Sequence, residues 1–134
     1  MIKEARVSSD VAKLLKDKGF DVKTFTFYDG HKFNQANTTH NWNASTWGTI
    51  SAPTHQLAMA WLREKGFEIS LSVGFPFING KQVFKYFWTV VKICDNHLEY
   101  PMDSYDTAEF NEMMADSHED AVEQYLNYVL TNLI

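Results

Sequence analysis

The stretch Ser51–Val73, SAPTHQLAMAWLREKGFEISLSV, decides the fold, because it reads as a helix, a stop and a strand in direct succession. Thr54 is placed to cap the helix, its hydroxyl accepting an otherwise unpaired N–H of the first turn. Pro53 holds the entering chain extended; with Ser51 as the alternative cap, Pro53 would sit in the first turn. Leu57, Ala58, Trp61 and Leu62 fall on one helical face, the pattern of a buried stripe. Arg63 and Lys65 meet the negative end of the helix dipole. Gly66 suits a left-handed stop, with Leu62 and Phe67 as the apolar pair of a Schellman motif. Phe67, Ile69, Leu71 and Val73 then alternate with Glu68, Ser70 and Ser72, which predicts a strand with one buried face.

Upstream, the spacing of Val11, Leu14 and Leu15 predicts a helix from Ser8 to Lys18 with Ser8 as its cap. Its end, LLKDKGFDV, matches WLREKGFEI at an offset of 47, with Leu15, Lys18, Gly19 and Phe20 identical to Leu62, Lys65, Gly66 and Phe67. Either an α-β-β unit was duplicated or one effective helix stop was reached twice. Residues 22–28, VKTFTFY, read as a half-exposed strand with Phe25 and Phe27 on one side and Thr24 and Thr26 on the other. Asp29-Gly30 signals a turn, residues 31–44 a long loop, and residues 45–50 a second short strand.

Downstream, Asn79-Gly80 is a strong hairpin signal. Residues 82–93, QVFKYFWTVVKI, predict a long strand with Phe84, Tyr86, Trp88 and Val90 on one face, either central in its sheet or with one face against a neighbour. Residues 95–105 read as irregular and residues 106–115 as a short helix. Ser117 opens a last helix whose apolar face is Ala121, Val122, Tyr125, Leu126, Val129 and Leu133. The expected order is α-β-β-α-β-β-(α)-α. It predicts a single α+β domain over residues 1–134, with an antiparallel sheet of about four strands and helices packed on one face.

The chain of 134 residues is long enough to bury a core without staples, and its aromatic content of 15% is high. No apolar run approaches a membrane span and the N-terminus has no apolar signal region, so no membrane association and a cytoplasmic setting are expected. A single cysteine, Cys94, excludes an internal disulfide. Charge is split along the chain. Residues 1–92 hold all twelve Lys and Arg against seven acids, a balance of +5, and residues 93–134 hold ten acids and neither Lys nor Arg.

No phosphate-cradling glycine loop, zinc-protease helix, paired-cysteine motif or nucleophile elbow is present, and no cofactor is expected. His31 and His40 could converge on a metal with Asp29, although loop histidines are ordinarily just polar; Cys94 reads as a strand-end residue, and no metal site or catalytic residue is assigned. The 31–47 region is the place for a small-molecule or enzymatic role. His40, Trp42, Trp47, Tyr86 and Trp88 are the candidate contact residues for a ligand or partner. Lys81, Lys85 and Lys92 beside Tyr86 and Trp88 give nucleic-acid binding as an alternative, because exposed rings stack on bases, with the overall acidity against it. Glu112, Asp116 and Glu119 are the candidate acidic surface for a basic partner, unless lysines of the first helix, Lys13, Lys16 and Lys18, neutralise them.

The blocks SAPTHQLAMAWLREKGFEI, VAKLLKDKGFDV and EDAVEQYLNYVLTNLI resemble a family of small uncharacterised proteins common in gut Bacteroidales, their phages and mobile elements. They cover about a third of the chain. The resemblance implies a bacterial or phage cytosolic setting and supplies no activity and no site residues. The chain departs from the family pattern at residues 31–44 and 94–116. Together these readings point to a small accessory protein whose partner is another protein.

Overall fold

Two glycines in left-handed geometry, Gly19 and Gly66, both at φ +90°, mark where helix gives way to strand. The structure, a computed structural model, describes residues 4–44, 48–102 and 113–134. Helix α1 spans Ser9–Asp17, and the Oγ of Ser8 accepts the N–H of Val11 at 3.2 Å. Its end is a full Schellman stop: Phe20 N–H donates to the Leu15 carbonyl at 3.0 Å and Gly19 N–H to the Lys16 carbonyl at 3.1 Å. Helix α2 spans His55–Glu64, with the Oγ1 of Thr54 accepting the N–H of Leu57 at 3.2 Å. Gly66 N–H donates to the Arg63 carbonyl at 2.9 Å, repeating the inner bond of the first stop. Thr54→Ala is expected to cost about 1 kcal/mol, read as a shift in urea midpoint at constant slope.

The chain divides into two compact units, Met1–Trp61 with Leu126–Ile134, and Leu62–Tyr125. In the first, strands β1 (Thr24–Asp29), β2 (Lys32–His40) and β3 (Thr49–Ser51) form an antiparallel sheet in the order β2-β1-β3. The expected loop over residues 31–44 is therefore mostly strand. β2 carries almost no burial on either face, so it has no apolar alternation to announce it; its ladder to β1 holds it in place. The register shifts between Thr24↔His40 and Thr26↔Gln35, which leaves a bulge of extra residues on β2. The expected short strand lies at Thr49–Ser51; residues 45–47 fall outside the described ones.

The buried side of β1 is the threonine side. Thr24 and Thr26 are buried and Phe25 is exposed. The hydroxyls tolerate this because both are bonded. Thr26 Oγ1 donates to the Ala52 carbonyl at 2.6 Å and accepts from the Arg6 guanidinium at 3.0 Å, and Thr24 Oγ1 donates to the Thr26 carbonyl at 2.7 Å.

The second unit holds β4 (Phe67–Gly74), β5 (Phe77–Ile78), β6 (Lys81–Gln82), β7 (Lys85–Ile93), β8 (Leu98–Glu99) and β9 (Met114–Ala115). β7 is central, with β4 along one edge and β8 and β9 along the other, all antiparallel. The Asn79-Gly80 turn has positive φ at both residues, 52° and 79°, and joins β5 to β6. The expected strand over residues 82–93 is interrupted at Val83 and Phe84. The expected short helix over residues 106–115 does not reach its end: Met114–Ala115 is strand, because the edge of β7 draws it in, with Trp88 N–H donating to the Met113 carbonyl at 3.0 Å. Residues 106–112 lie outside the described ones. Helix α3, His118–Asn132, begins on the Oγ of Ser117, which accepts the N–H of Asp120 at 3.0 Å.

The fold is thus α+β, with helices flanking antiparallel sheets in the expected manner, and hydrogen bonding distributes the strands over separate sheets. Both helix stops feed a strand paired with a later strand. The third strand joins the first of these in one unit (β3 on β1) and the second in the other (β8 and β9 on β7). The strand orders of the two units therefore differ beyond the shared stop and antiparallel pair.

Tyr125 is fully buried, and its hydroxyl has no hydrogen-bond partner among the described residues. Burial, and then the nearby Glu68 carboxylate, push its phenol well above the ordinary 10.0, with Arg63 opposing. Above the ordinary value the unfolded tyrosine ionises while the folded one stays neutral, so stability falls as pH rises through that range. Tyr125→Phe is expected to be neutral or stabilising by up to about 1–2 kcal/mol near neutrality and to remove this part of the alkaline loss. Urea unfolding of both proteins at about pH 7 and about pH 11 checks it.

Candidate functional site

Of the residues expected to contact a ligand or partner, Trp42 and Trp88 are buried in the core. Trp42 is buried, stacks on Phe27 with centroids 4.2 Å apart, and donates Nε1–H to the Thr24 carbonyl at 2.8 Å. Trp88 is buried and donates Nε1–H to Gln124 Oε1 at 2.7 Å. Both indoles are core pieces and present no face for stacking. His40 is exposed at the end of β2, edge-on to Trp42. Tyr86 is half-buried, between Phe84 and His118. Trp47 and Glu112 lie outside the described residues. His31 and His40 sit at opposite ends of β2, and His31 Nδ1 is 3.1 Å from Ser9 Oγ, so the two histidines do not converge on a metal.

The acids expected to form a partner surface have local roles. Asp116 pairs with the ammonium of Lys85, which is largely covered while the carboxylate is exposed. Glu119 and Asp120 lie in the first turn of α3, where the helix dipole favours them. Two of the three expected neutralising lysines bond elsewhere: Lys16 Nζ donates to the Thr49 carbonyl at 3.3 Å and Lys18 Nζ to the Ile134 carbonyl at 2.8 Å. Asp116→Asn is expected to cost less than about 1 kcal/mol, as exposed pairs do, with the loss shrinking further in high salt.

What the second unit does present is an arm. Between β4 and β7 the chain runs out through β5, the Asn79-Gly80 turn and β6, closed at its base by the Val83 N–H to Pro76 carbonyl bond of 3.0 Å. Phe75, Phe77 and Val73 are 63%, 73% and 59% exposed, and Val83 and Phe84 are exposed beside them. Phe75 meets Phe84 edge-on at 5.5 Å, and Phe84 meets Tyr86 at 5.2 Å. A hairpin this short has no core of its own, so nothing in its local packing requires three phenylalanines. The turn was legible from Asn79-Gly80; the exposure of the rings was not, because the spacing of apolar residues looks the same on a covered and an uncovered strand.

A second grouping lies at the turn between β7 and β8. The Cys94 N–H donates to the His97 carbonyl at 3.0 Å, closing the turn Cys94-Asp95-Asn96-His97. The ligand atoms of Cys94, His97 and Glu99 all lie within 4.8 Å of one another. Burial first, then the hydrogen bond to Glu99, raises the Cys94 thiol above its ordinary value. Hydrogen bonds from His97 and then Cys94, helped by Lys92, lower the Glu99 carboxyl. The signal for this grouping was the C-x-x-H-x-E spacing at a strand end, which acquires meaning only once the register of β7 and β8 is known.

Comparison with protein-family models, curated proteins and solved structures found no match. Among the described residues no helix is long and apolar enough to cross a membrane.

Proposed function

We propose that this is a protein-interaction accessory factor that docks on another protein through the arm of residues 73–84, in the cytoplasm of a bacterial or phage-infected cell. The observation that carries the reading is the row of exposed rings, Phe75, Phe77 and Phe84, flanked by Val73 and Val83. Contiguous exposed apolar surface of this kind is costly to leave in water and marks docking sites. Aromatic rings also supply much of the binding free energy at protein interfaces. The fitting partner offers an apolar groove, with acids at its rim to meet Lys81, which lies exposed in the same hairpin.

A photo-crosslinking residue at position 77 tests this. A discrete protein adduct that disappears in Phe75→Ser and Phe84→Ser variants supports the reading. Adducts insensitive to both substitutions overturn it. Nucleic-acid binding is the second reading, but Trp88 is buried and Lys85 is paired with Asp116, which breaks the aromatic and basic row it needs. Retention on a low-salt DNA column, lost with Lys81→Gln and Lys92→Gln, would favour it over protein docking.

A further inference from the structure

We infer that Cys94, His97 and Glu99 form a binding site for a divalent transition-metal ion of the zinc type at the tip of the β7–β8 hairpin. The backbone places the three on one side. Lys92 pairs with Glu99 and Ile93 with Leu98 in register, so the next positions outward are Cys94 and His97. Side chains alternate along a strand and face the same way across a pair. Lys92, Cys94, His97 and Glu99 therefore share one face, and Ile93 and Leu98 take the other.

The donor set suits the ion. Thiolate, imidazole and carboxylate are the three side-chain ligands of zinc, and a two-residue spacer is the short spacing of its turn-borne ligand pairs. Zinc–nitrogen and zinc–oxygen bonds of about 2.0–2.1 Å in a tetrahedron set neighbouring ligand atoms roughly 3.3 Å apart. His97 Nε2 and Glu99 Oε1 already stand at 3.2 Å. The other ring nitrogen, Nδ1, lies 3.0 Å from Asn96 Oδ1. The amide oxygen holds the proton on Nδ1, so that on metal binding Nε2 gives up to solvent the proton it shares with Glu99 and turns its lone pair to the ion, the arrangement that orients metal-bound histidines. On binding, the Cys94 S–H bond breaks, its proton passes to solvent and a sulfur–metal bond forms in its place. The thiolate and carboxylate then match the two positive charges. Three protein ligands leave the fourth position to water, so the site is open on its solvent side.

The test uses the full chain and zinc and cobalt(II) as probes, under reducing conditions. One cobalt ion per chain should produce a thiolate charge-transfer band in the near ultraviolet that zinc bleaches. Cys94→Ser should abolish the band, and His97→Ala and Glu99→Gln should each weaken zinc binding by about tenfold or more. These side chains lie at a hairpin tip, so circular dichroism of the metal-free variants should be unchanged. Absence of the band at stoichiometric cobalt overturns the inference. So does zinc affinity that is unaffected by all three substitutions, or that falls instead with His31→Ala or His118→Ala, which would put the ion elsewhere.

Discussion

Trp88→Ala is expected to lower stability by about 3–5 kcal/mol, enough to unfold much of the population if the protein is as marginal as most domains of its size. Trp88 lies in the middle of β7, the central strand of its sheet, and is almost wholly buried. Its ring packs edge-on to Tyr125 and its Nε1–H is held by Gln124, so truncation removes an anchor between β7 and the first half of α3. It also leaves the Gln124 carbonyl oxygen without that donor. Trp88→Phe should recover most of the loss, since it restores the apolar volume and not the N–H. The gap between the two variants, read from urea midpoints, measures the packing of the ring, and the loss that remains in Trp88→Phe holds the share of the hydrogen bond to Gln124. A loss under about 1 kcal/mol for Trp88→Ala would mean that the sheet and helix are held by other contacts.

Gly66→Ala is expected to cost roughly 2–3 kcal/mol and Gly19→Ala about 1, although the two stops have the same φ and nearly the same sequence. Both pay the strain of a side chain at positive φ. At Gly19 nothing lies within 4 Å of the added methyl group. At Gly66 the methyl would come within 3.3 Å of the Ile93 carbonyl oxygen. That oxygen is fixed, because the Ile93 N–H donates to the Gly66 carbonyl at 2.7 Å, at the first rung between β4 and β7. Alanine there must push apart the start of a sheet, whereas alanine at Gly19 strains only its own backbone. Equal losses at the two sites would show that strain alone sets both values.

The elements legible in the sequence are those whose signal is local. Ser8, Thr54 and Ser117 cap the helices they precede, Gly19 and Gly66 stop theirs, and Asn79-Gly80 makes the turn its chemistry demands. β2 was not legible, since HKFNQANTTH has no buried face and is held by its ladder with β1. Nor could composition reveal that Thr24 and Thr26 face inward ahead of Phe25; the Thr26 hydroxyl finds its partners on Ala52 and Arg6, far away in sequence, and that of Thr24 on the Thr26 carbonyl. Trp42 and Trp88 looked like contact residues because tryptophan serves interfaces and cores alike, and only burial separates the two. The exposure of Phe75 and Phe77 had no signal of its own, since apolar residues are spaced alike on covered and uncovered strands. Cys94, His97 and Glu99 come together through a strand of only two residues, β8, which is too short to carry a periodicity.

The unit that contains the N-terminus also contains Leu126–Ile134, with the whole of Leu62–Tyr125 between. On a ribosome the first sixty-one residues emerge early, yet their unit lacks its closing piece until Leu126–Ile134 has cleared the exit tunnel. Leu126, Val129 and Leu130, buried in the finished protein, are delivered only after the whole of Leu62–Tyr125. The inserted unit therefore has all of its own residues before the one that began first. A nascent chain cut after Tyr125 and held outside the tunnel by a flexible linker should resist protease over Leu62–Tyr125 and remain open to it over Met1–Trp61.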